Sequence, residues 1–266
     1  MSPQGTPMSA MPLSGLHAAI TGAGRGIGLA VARELARMGA TLSLLGRDAE
    51  RLDAAVASLA PARCVRHLCD VGDPSAVAAV FEAIAKNGDG LSILVNNAGI
   101  VQSAKFEDTS SALWYDMLRV NLTGAYHCIR AALPLLREAQ QARIVNVAST
   151  AGLVGYPYVT AYCAAKHGLV GLSRALAVET ARTGITVNAV CPGYTETDIL
   201  RDGIANVVAR TGMSEAEALA QFTAGNPQGR IIQPREVADA VRWLCGDAAA
   251  SVTGQAISVS GGEVMQ

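Results

Sequence analysis

Short β-branched runs alternate along the chain with longer Ala- and Leu-rich segments of helical period. Strands are predicted at His17–Thr21, Thr41–Leu45, Cys64–Cys69, Ile93–Val95, Ile144–Val147, Thr186–Val190 and Ala256–Val259. Between them lie Gly26–Met38, Asp48–Leu59, Ser75–Asn87, Ser111–Ala132, Ala161–Thr183 and Pro234–Cys245, where apolar residues recur at the spacing that gives a helix one buried face. Strand–helix alternation builds βαβ units, and these build a parallel sheet covered on both sides. The expected fold is α/β, a doubly wound parallel sheet of about seven strands with helices on both faces. No Pro/Ser-rich linker interrupts it, so a single domain is expected.

Two stretches stand outside the alternation. Residues 1–13, rich in Pro, Ser and Met without a basic start or a long apolar run, are expected to be a disordered leader ahead of a domain spanning 14–266. Residues 198–230 carry two short helical periods between the sixth and seventh strands, with an apolar face from Ile199, Leu200, Ile204, Val207 and Val208. A long excursion in a compact domain is most often functional, so a substrate lid is expected there; the alternative is a subdomain packed permanently on the core.

Composition narrows the function. A formal net charge of −1 and an aromatic content of 4% provide neither the electrostatic footprint nor the stacking platform that nucleic acid requires. No apolar run reaches the length of a membrane span. The six cysteines (Cys64, Cys69, Cys128, Cys163, Cys191 and Cys245) form no CxxC pair and no metal-type spacing. They read as buried free thiols in a reducing cytoplasm, with no metal expected.

Candidate chemistry collects at the predicted strand ends. The first strand runs into Thr21-Gly22-Ala23-Gly24-Arg25-Gly26-Ile27-Gly28 and then a helix. Glycines at 22, 26 and 28 allow a tight turn, admit a pyrophosphate to the backbone and let helix and strand pack closely, while the helix N-terminus offers its N–H groups. The second strand ends in Gly46-Arg47-Asp48, where a site specific for NAD usually carries an acid for the ribose 2′-hydroxyl. Arg47 and Arg25 suit a 2′-phosphate instead. Asp48 either reaches the ribose or caps the next helix. NADP(H) is favoured and NAD(H) remains possible.

Tyr162 and Lys166 are four residues apart and share a helix face. A free phenol titrates near pH 10, and a neighbouring ammonium favours its phenolate. Thirteen residues before Tyr162, Ser149 closes a strand and presents a hydroxyl at the sheet edge, with Thr150 as a rival.

Thr21–Gly28, Asn96-Asn97-Ala98-Gly99 and Tyr162-Cys163-Ala164-Ala165-Lys166, in this order, resemble the short-chain dehydrogenase/reductase family from about Leu13 to the end of the chain. The resemblance implies a Rossmann-type sheet and a catalytic set of Asn121, Ser149, Tyr162 and Lys166. Tyr162 would transfer the proton, Lys166 would tune it and hold the nicotinamide ribose, Ser149 would hold the substrate oxygen, and Asn121 would join a water relay to the lysine. Gly46 falls where NAD-dependent relatives keep their acid. Cofactor contacts are implied for Thr21, Gly22, Gly24, Arg25, Gly26, Ile27, Gly28, Arg47, Asp70, Val71, Asn97, Ala98, Gly99, Tyr162, Lys166, Pro192, Gly193, Thr195 and Thr197. Structural roles compete at several of these positions. Asp70 could simply start a turn, Asn121 could serve the helix, and Thr195 and Thr197 could cap the lid.

The whole motif set looks like 3-oxoacyl-(acyl carrier protein) reductases and acetoacetyl-CoA reductases. It implies an oxidoreductase interconverting a ketone and a secondary alcohol, with a 3-oxoacyl thioester as leading substrate. The apolar lid with Tyr156, Tyr158 and Tyr194 suits an acyl or ring substrate, whereas Arg137 and Arg143 give thin support for docking an acidic carrier. A dehydrogenase of a cyclic or aryl alcohol is the alternative, and a non-catalytic NADP(H)-binding protein the second. The family also implies a homotetramer built through the helices near 111–132 and 161–183 and the last strand.

Overall fold

In this computed structural model residues 11–88 and 90–265 are described. The strands are β1 (His17–Thr21), β2 (Thr41–Gly46), β3 (Cys64–Leu68), β4 (Ile93–Asn96), β5 (Ala142–Val147), β6 (Ile185–Pro192) and β7 (Ala256–Val259). They form one sheet in the order β3-β2-β1-β4-β5-β6-β7, with every pair parallel. The helices are α1 (Gly26–Arg37), α2 (Ala49–Ser58), α3 (Pro74–Lys86), α4 (Ser111–Leu118), α5 (Gly124–Glu138), α6 (Thr160–Thr180), α7 (Asp198–Thr211), α8 (Glu215–Thr223) and α9 (Pro234–Cys245).

The central strands β1, β4, β5 and β6 are buried at every position, as a sheet covered on both faces requires. On one face Ile20 and Leu44 pack with Val31 and Leu35 of α1 and Val241 of α9. On the other, Ala19 and Leu94 pack with Phe81 of α3 and Ile129 of α5. Each fully buried Leu, Ile or Phe of these layers contributes about 1.5–3 kcal/mol. The chain leaves β1 for β2 and β3, then crosses back to β4 on the other side of β1. That reversal opens a crevice at the carboxyl ends of β1 and β4, the place where such sheets bind ligands.

Three differences from the sequence reading have local causes. Residues 1–10 of the expected leader lie outside the described residues; Leu13, at its end, is 2% exposed, sits in the α1/α9 core layer and donates its N–H to Met38. The predicted helix Ser111–Ala132 is broken by a π-helical turn at Arg119–Thr123 and runs on through Pro134 to Glu138. Pro134 is tolerated because the carbonyl its missing N–H leaves unpaired belongs to exposed Arg130. Arg143, which with Arg137 gives thin support for docking an acidic carrier, is 4% exposed and donates to the Ala142 carbonyl and Gln141 Oε1.

The excursion after β6 is a helical pair. Gly212, at φ +72°, closes α7 in the left-handed conformation, and Ser214 with Glu217 forms a capping box that starts α8. Leu200 and Ile204 pack with Ala218 and Phe222 in a small cluster of their own. Ile199 is outside it: its side chain is exposed and borders the cleft.

Candidate active site

A cleft of about 1400 Å³ follows the carboxyl edge of the sheet from the end of β2 to the end of β6. Five adjacent strands, β2-β1-β4-β5-β6, span four interstrand spacings, about 19 Å, room for two nucleotides end to end. Every catalytic and cofactor-contact candidate from the sequence lines it except Thr21 and Gly28, which stand behind the wall.

Those two build the glycine turn. Thr21 Oγ1 accepts from the N–H groups of Asn97 and Ala98 at 2.9 and 3.0 Å, tying the ends of β1 and β4 together. The Asn97 amide donates to the carbonyls of Thr21 and Gly22. A Cβ on Gly28 would collide with the Gly22 carbonyl, so only glycine lets α1 start this close to the strand. Arg25 precedes α1 without capping it by its side chain. The first-turn N–H groups of α1 therefore face the cleft free of a side-chain cap, a cradle that fits a pyrophosphate.

At the β2 end, Arg47 is exposed and makes no hydrogen bond or ion pair among the described residues. Asp48 caps α2 by accepting from Arg51 N at 3.1 Å and also pairs with the Arg51 guanidinium. A Cβ on Gly46 would meet only Leu52, at ordinary contact distance, so the missing acid reflects charge and not space. Asp70 Oδ1 accepts from Gly72 N at 2.9 Å, and both its oxygens lie 3.3 Å from Arg119. Burial pulls its pKa up, but the Gly72 amide and Arg119 outweigh that and hold it below the usual carboxylate range.

At the β5 end, α6 places Tyr162 and Lys166 beneath Ser149. Lys166 is 3% exposed; its Nζ donates to the Val147 carbonyl at 2.9 Å and lies 5.6 Å from the centre of the Tyr162 ring. Burial lowers the lysine to about 8. Burial also pushes the Tyr162 phenol up to about 12, opposed by a hydrogen bond with the Ser149 side chain. The sequence reading had the ammonium lowering the phenol. Here desolvation dominates, because Lys166 is turned to a main-chain carbonyl.

Asn121 sits in the π-helical turn, 1% exposed. Its Oδ1 accepts from Ile100 N at 3.1 Å, and its Nδ2 donates to the carbonyls of Ile100 and Met117 at 3.0 and 2.9 Å. It thus ties the helix to the loop after β4. A Cβ on Gly99 would lie 2.8 Å from Asn121 Oδ1 and 3.7 Å from Lys166 Nζ, so the glycine keeps the space between them open. Beyond Pro192, Thr195 Oγ1 donates to the Gly193 carbonyl and Thr197 Oγ1 to the Thr195 carbonyl. Neither hydroxyl caps α7.

A family model described as enoyl-(acyl carrier protein) reductase matches residues 22–263. The chain belongs to the short-chain dehydrogenase/reductase family. A D-beta-hydroxybutyrate dehydrogenase of Rhizobium meliloti is 38% identical over 254 residues, 94% of this chain and 98% of that protein. Ketoacyl reductase 1 ascribed to the granaticin polyketide synthase of Streptomyces violaceoruber is 41% identical over 249 residues, 92% of each chain. The crystal structure of a variant of actinorhodin polyketide ketoreductase with NADPH superposes with a TM-score of 0.89 at 38% identity, covering 93% of this chain and 97% of that one.

This short-chain dehydrogenase/reductase also lines its cleft with residues that sequence reasoning passed over. Arg51 lies one turn beyond Arg47 on α2, and its exposure at a helix start was a legible signal. Phe222 of α8 meets Tyr194 edge-on, ring centres 4.9 Å apart, and Tyr194 meets Tyr156 the same way at 6.3 Å. The Tyr156 hydroxyl lies 2.6 Å from Glu263 Oε1 and 2.9 Å from Thr150 Oγ1. Burial and Glu263 push that phenol far up. Glu263 crosses over Gly193, where a Cβ would come within 2.7 Å of Glu263 Oε2. Nothing in the local sequence pairs residue 263 with residue 156; only the fold does.

Proposed function

We propose that this protein interconverts a ketone and a secondary alcohol, with NADP(H) favoured as hydride carrier and a 3-oxoacyl thioester as the substrate class. The observation that carries this reading is the convergence of Ser149, Tyr162 and buried Lys166 in the same cleft as the glycine turn. When bound, the reduced nicotinamide supplies a hydride to the carbonyl carbon. The chain's part is to receive the charge that develops on the carbonyl oxygen. Ser149 donates a hydrogen bond to that oxygen and Tyr162 gives it a proton.

A phenol held near 12 keeps its proton at neutral pH, so the free protein is stocked for reduction. One N–H of Lys166 is taken by Val147, which leaves two donors for the cofactor ribose. Its charge, kept below a pH of about 8, favours the tyrosinate left after proton transfer. Asn121 joins the relay that restores the proton. Unpaired Arg47, with Arg25, reads the 2′-phosphate. The NADPH in the actinorhodin ketoreductase structure supports that preference.

The decisive experiment is Tyr162→Phe, assayed with a 3-oxoacyl-CoA and NADPH. Activity is expected to fall by about 10²–10⁴-fold. Survival within tenfold would sink the catalytic assignment and leave a nucleotide-binding protein. Arg47→Ala is expected to raise KM for NADPH more than for NADH; equal rises would refute the 2′-phosphate role. A second reading, a cyclic or aryl ketone as substrate, is favoured by the wall of Tyr156, Tyr194 and Phe222. Side-by-side rates on a thioester and a cyclic ketone separate the two. The buried position of Arg143 leaves only Arg137 of the two arginines offered for docking an acidic carrier, which favours a CoA ester over a carrier-bound one. Six free thiols support a reducing, cytoplasmic setting. No helix among the described residues is long and apolar enough to cross a membrane.

A further inference from the structure

One carboxylate in the cleft has no part in the reaction. Asp198 is the first residue of α7, the lid helix, yet its partners lie on the far side of the cleft mouth. Its Oδ2 is 2.6 Å from Arg25 Nη1, on the glycine turn, and 3.2 Å from Arg51 Nη1, on α2. Its other oxygen is 3.9 Å from Arg201 of its own helix.

Close backbone packing holds the three elements at this spacing. A Cβ on Gly26 would lie 3.2 Å from Thr197 Cγ2, and one on Gly24 would lie 3.2 Å from Arg51 Cβ. Arg25, with desolvation working against it and Arg51 and Arg201 helping, holds the Asp198 carboxyl below its usual range, so it is an anion at neutral pH.

The consequence is a charge balance. Arg25, Arg47 and Arg51 bring three positive charges to the adenosine end, and Asp48 removes one. Without Asp198 the corner would carry a surplus of two, matched to a phosphate dianion; with it the surplus is one. We propose that Asp198 is a specificity-determining residue: from the first turn of the lid it occupies the arginines that an adenosine 2′-phosphate would use, and so weakens the discrimination in favour of the phosphorylated cofactor. A nucleotide without the 2′-phosphate meets no such competition. The same contact links the two ends of the cleft, because a phosphate that takes Arg25 releases the start of α7.

This inference rests on the NADP(H) reading, and the test separates the two. Adenosine 2′,5′-bisphosphate and 5′-AMP are titrated calorimetrically into the whole protein, wild type, Asp198→Asn and Asp198→Ser. Serine keeps a small polar group at the helix start should asparagine perturb folding. Both variants are expected to bind the bisphosphate roughly three- to tenfold more tightly, the size of exposed ion pairs removed from competition, with 5′-AMP changed by less than about twofold. Unchanged or weaker bisphosphate binding, or an equal gain for both nucleotides, overturns the role of Asp198. The cofactor reading fails separately, if the wild type binds the two nucleotides alike. A variant that then begins to discriminate would still uphold Asp198 as the competing anion.

Discussion

A buried lysine without a carboxylate beside it is a cost carried at neutral pH, and Lys166 is such a residue. Its folded value of about 8 lies below the 10.5 of the free side chain, a gap worth about 3 kcal/mol. Between those values the unfolded chain holds the extra proton, so this group makes stability rise with pH from about 8 to 10.5 and withholds that stability below about 8. The buried thiols Cys69, Cys191 and Cys245, raised by desolvation, act in the opposite sense above pH 9. Comparing wild type with Lys166→Met cancels Cys69 and Cys245, while Cys191, which Lys166 holds down, rises further in the variant. Urea unfolding at pH 7 and pH 10 is expected to show the variant gaining relative to wild type at pH 7 by about 2.5 kcal/mol more than at pH 10, since pH 10 still lies below the free lysine's value. An equal difference at both pH values would mean that Lys166 is not desolvated. Tyr162 and Lys166 were legible as a pair because a spacing of four fixes a helix face. Their depressed and elevated titrations were not, because those depend on how completely β5 and α6 exclude water.

Elements decide how those residues are aimed. The π-helical turn between α4 and α5 has no signature in the apolar periodicity, which runs through it unbroken. It shows itself only where Asn121 takes up the Met117 carbonyl and both polar groups of Ile100. Asn121→Ala removes three hydrogen bonds, one buried and two half-buried, and is expected to lower stability by about 2–4 kcal/mol. A shift in urea midpoint that small surface substitutions do not give would check this, and activity per folded molecule then isolates what the residue adds to catalysis. The excursion after β6 was legible as two helical periods, and its inner face as Leu200 and Ile204. The outward turn of Ile199 was not, because a helix of this length can bury only one stripe and the sequence offered a wider one.

At the level of the whole molecule, seven alternating units fixed the sheet and put each strand end on one edge, so most of the cleft could be read before any contact was known. What the alternation could not convey is which outward faces are left apolar. Tyr115, Tyr126 and Val178 are exposed on α4, α5 and α6, Val178 at 79%, and β7 lies at the sheet edge. If the tetramer that the family resemblance implies forms through these faces, light scattering is expected to give the mass of four chains, and Val178→Glu to lower it; a monomer for the wild type would refute that expectation. The contact between Tyr156 and Glu263 spans 107 positions of sequence. During synthesis β1, with its partners β2 and β4, therefore emerges long before the carboxylate that steadies the aromatic wall exists. The aromatic wall is thus the part of the cleft completed last, because it waits for residue 263.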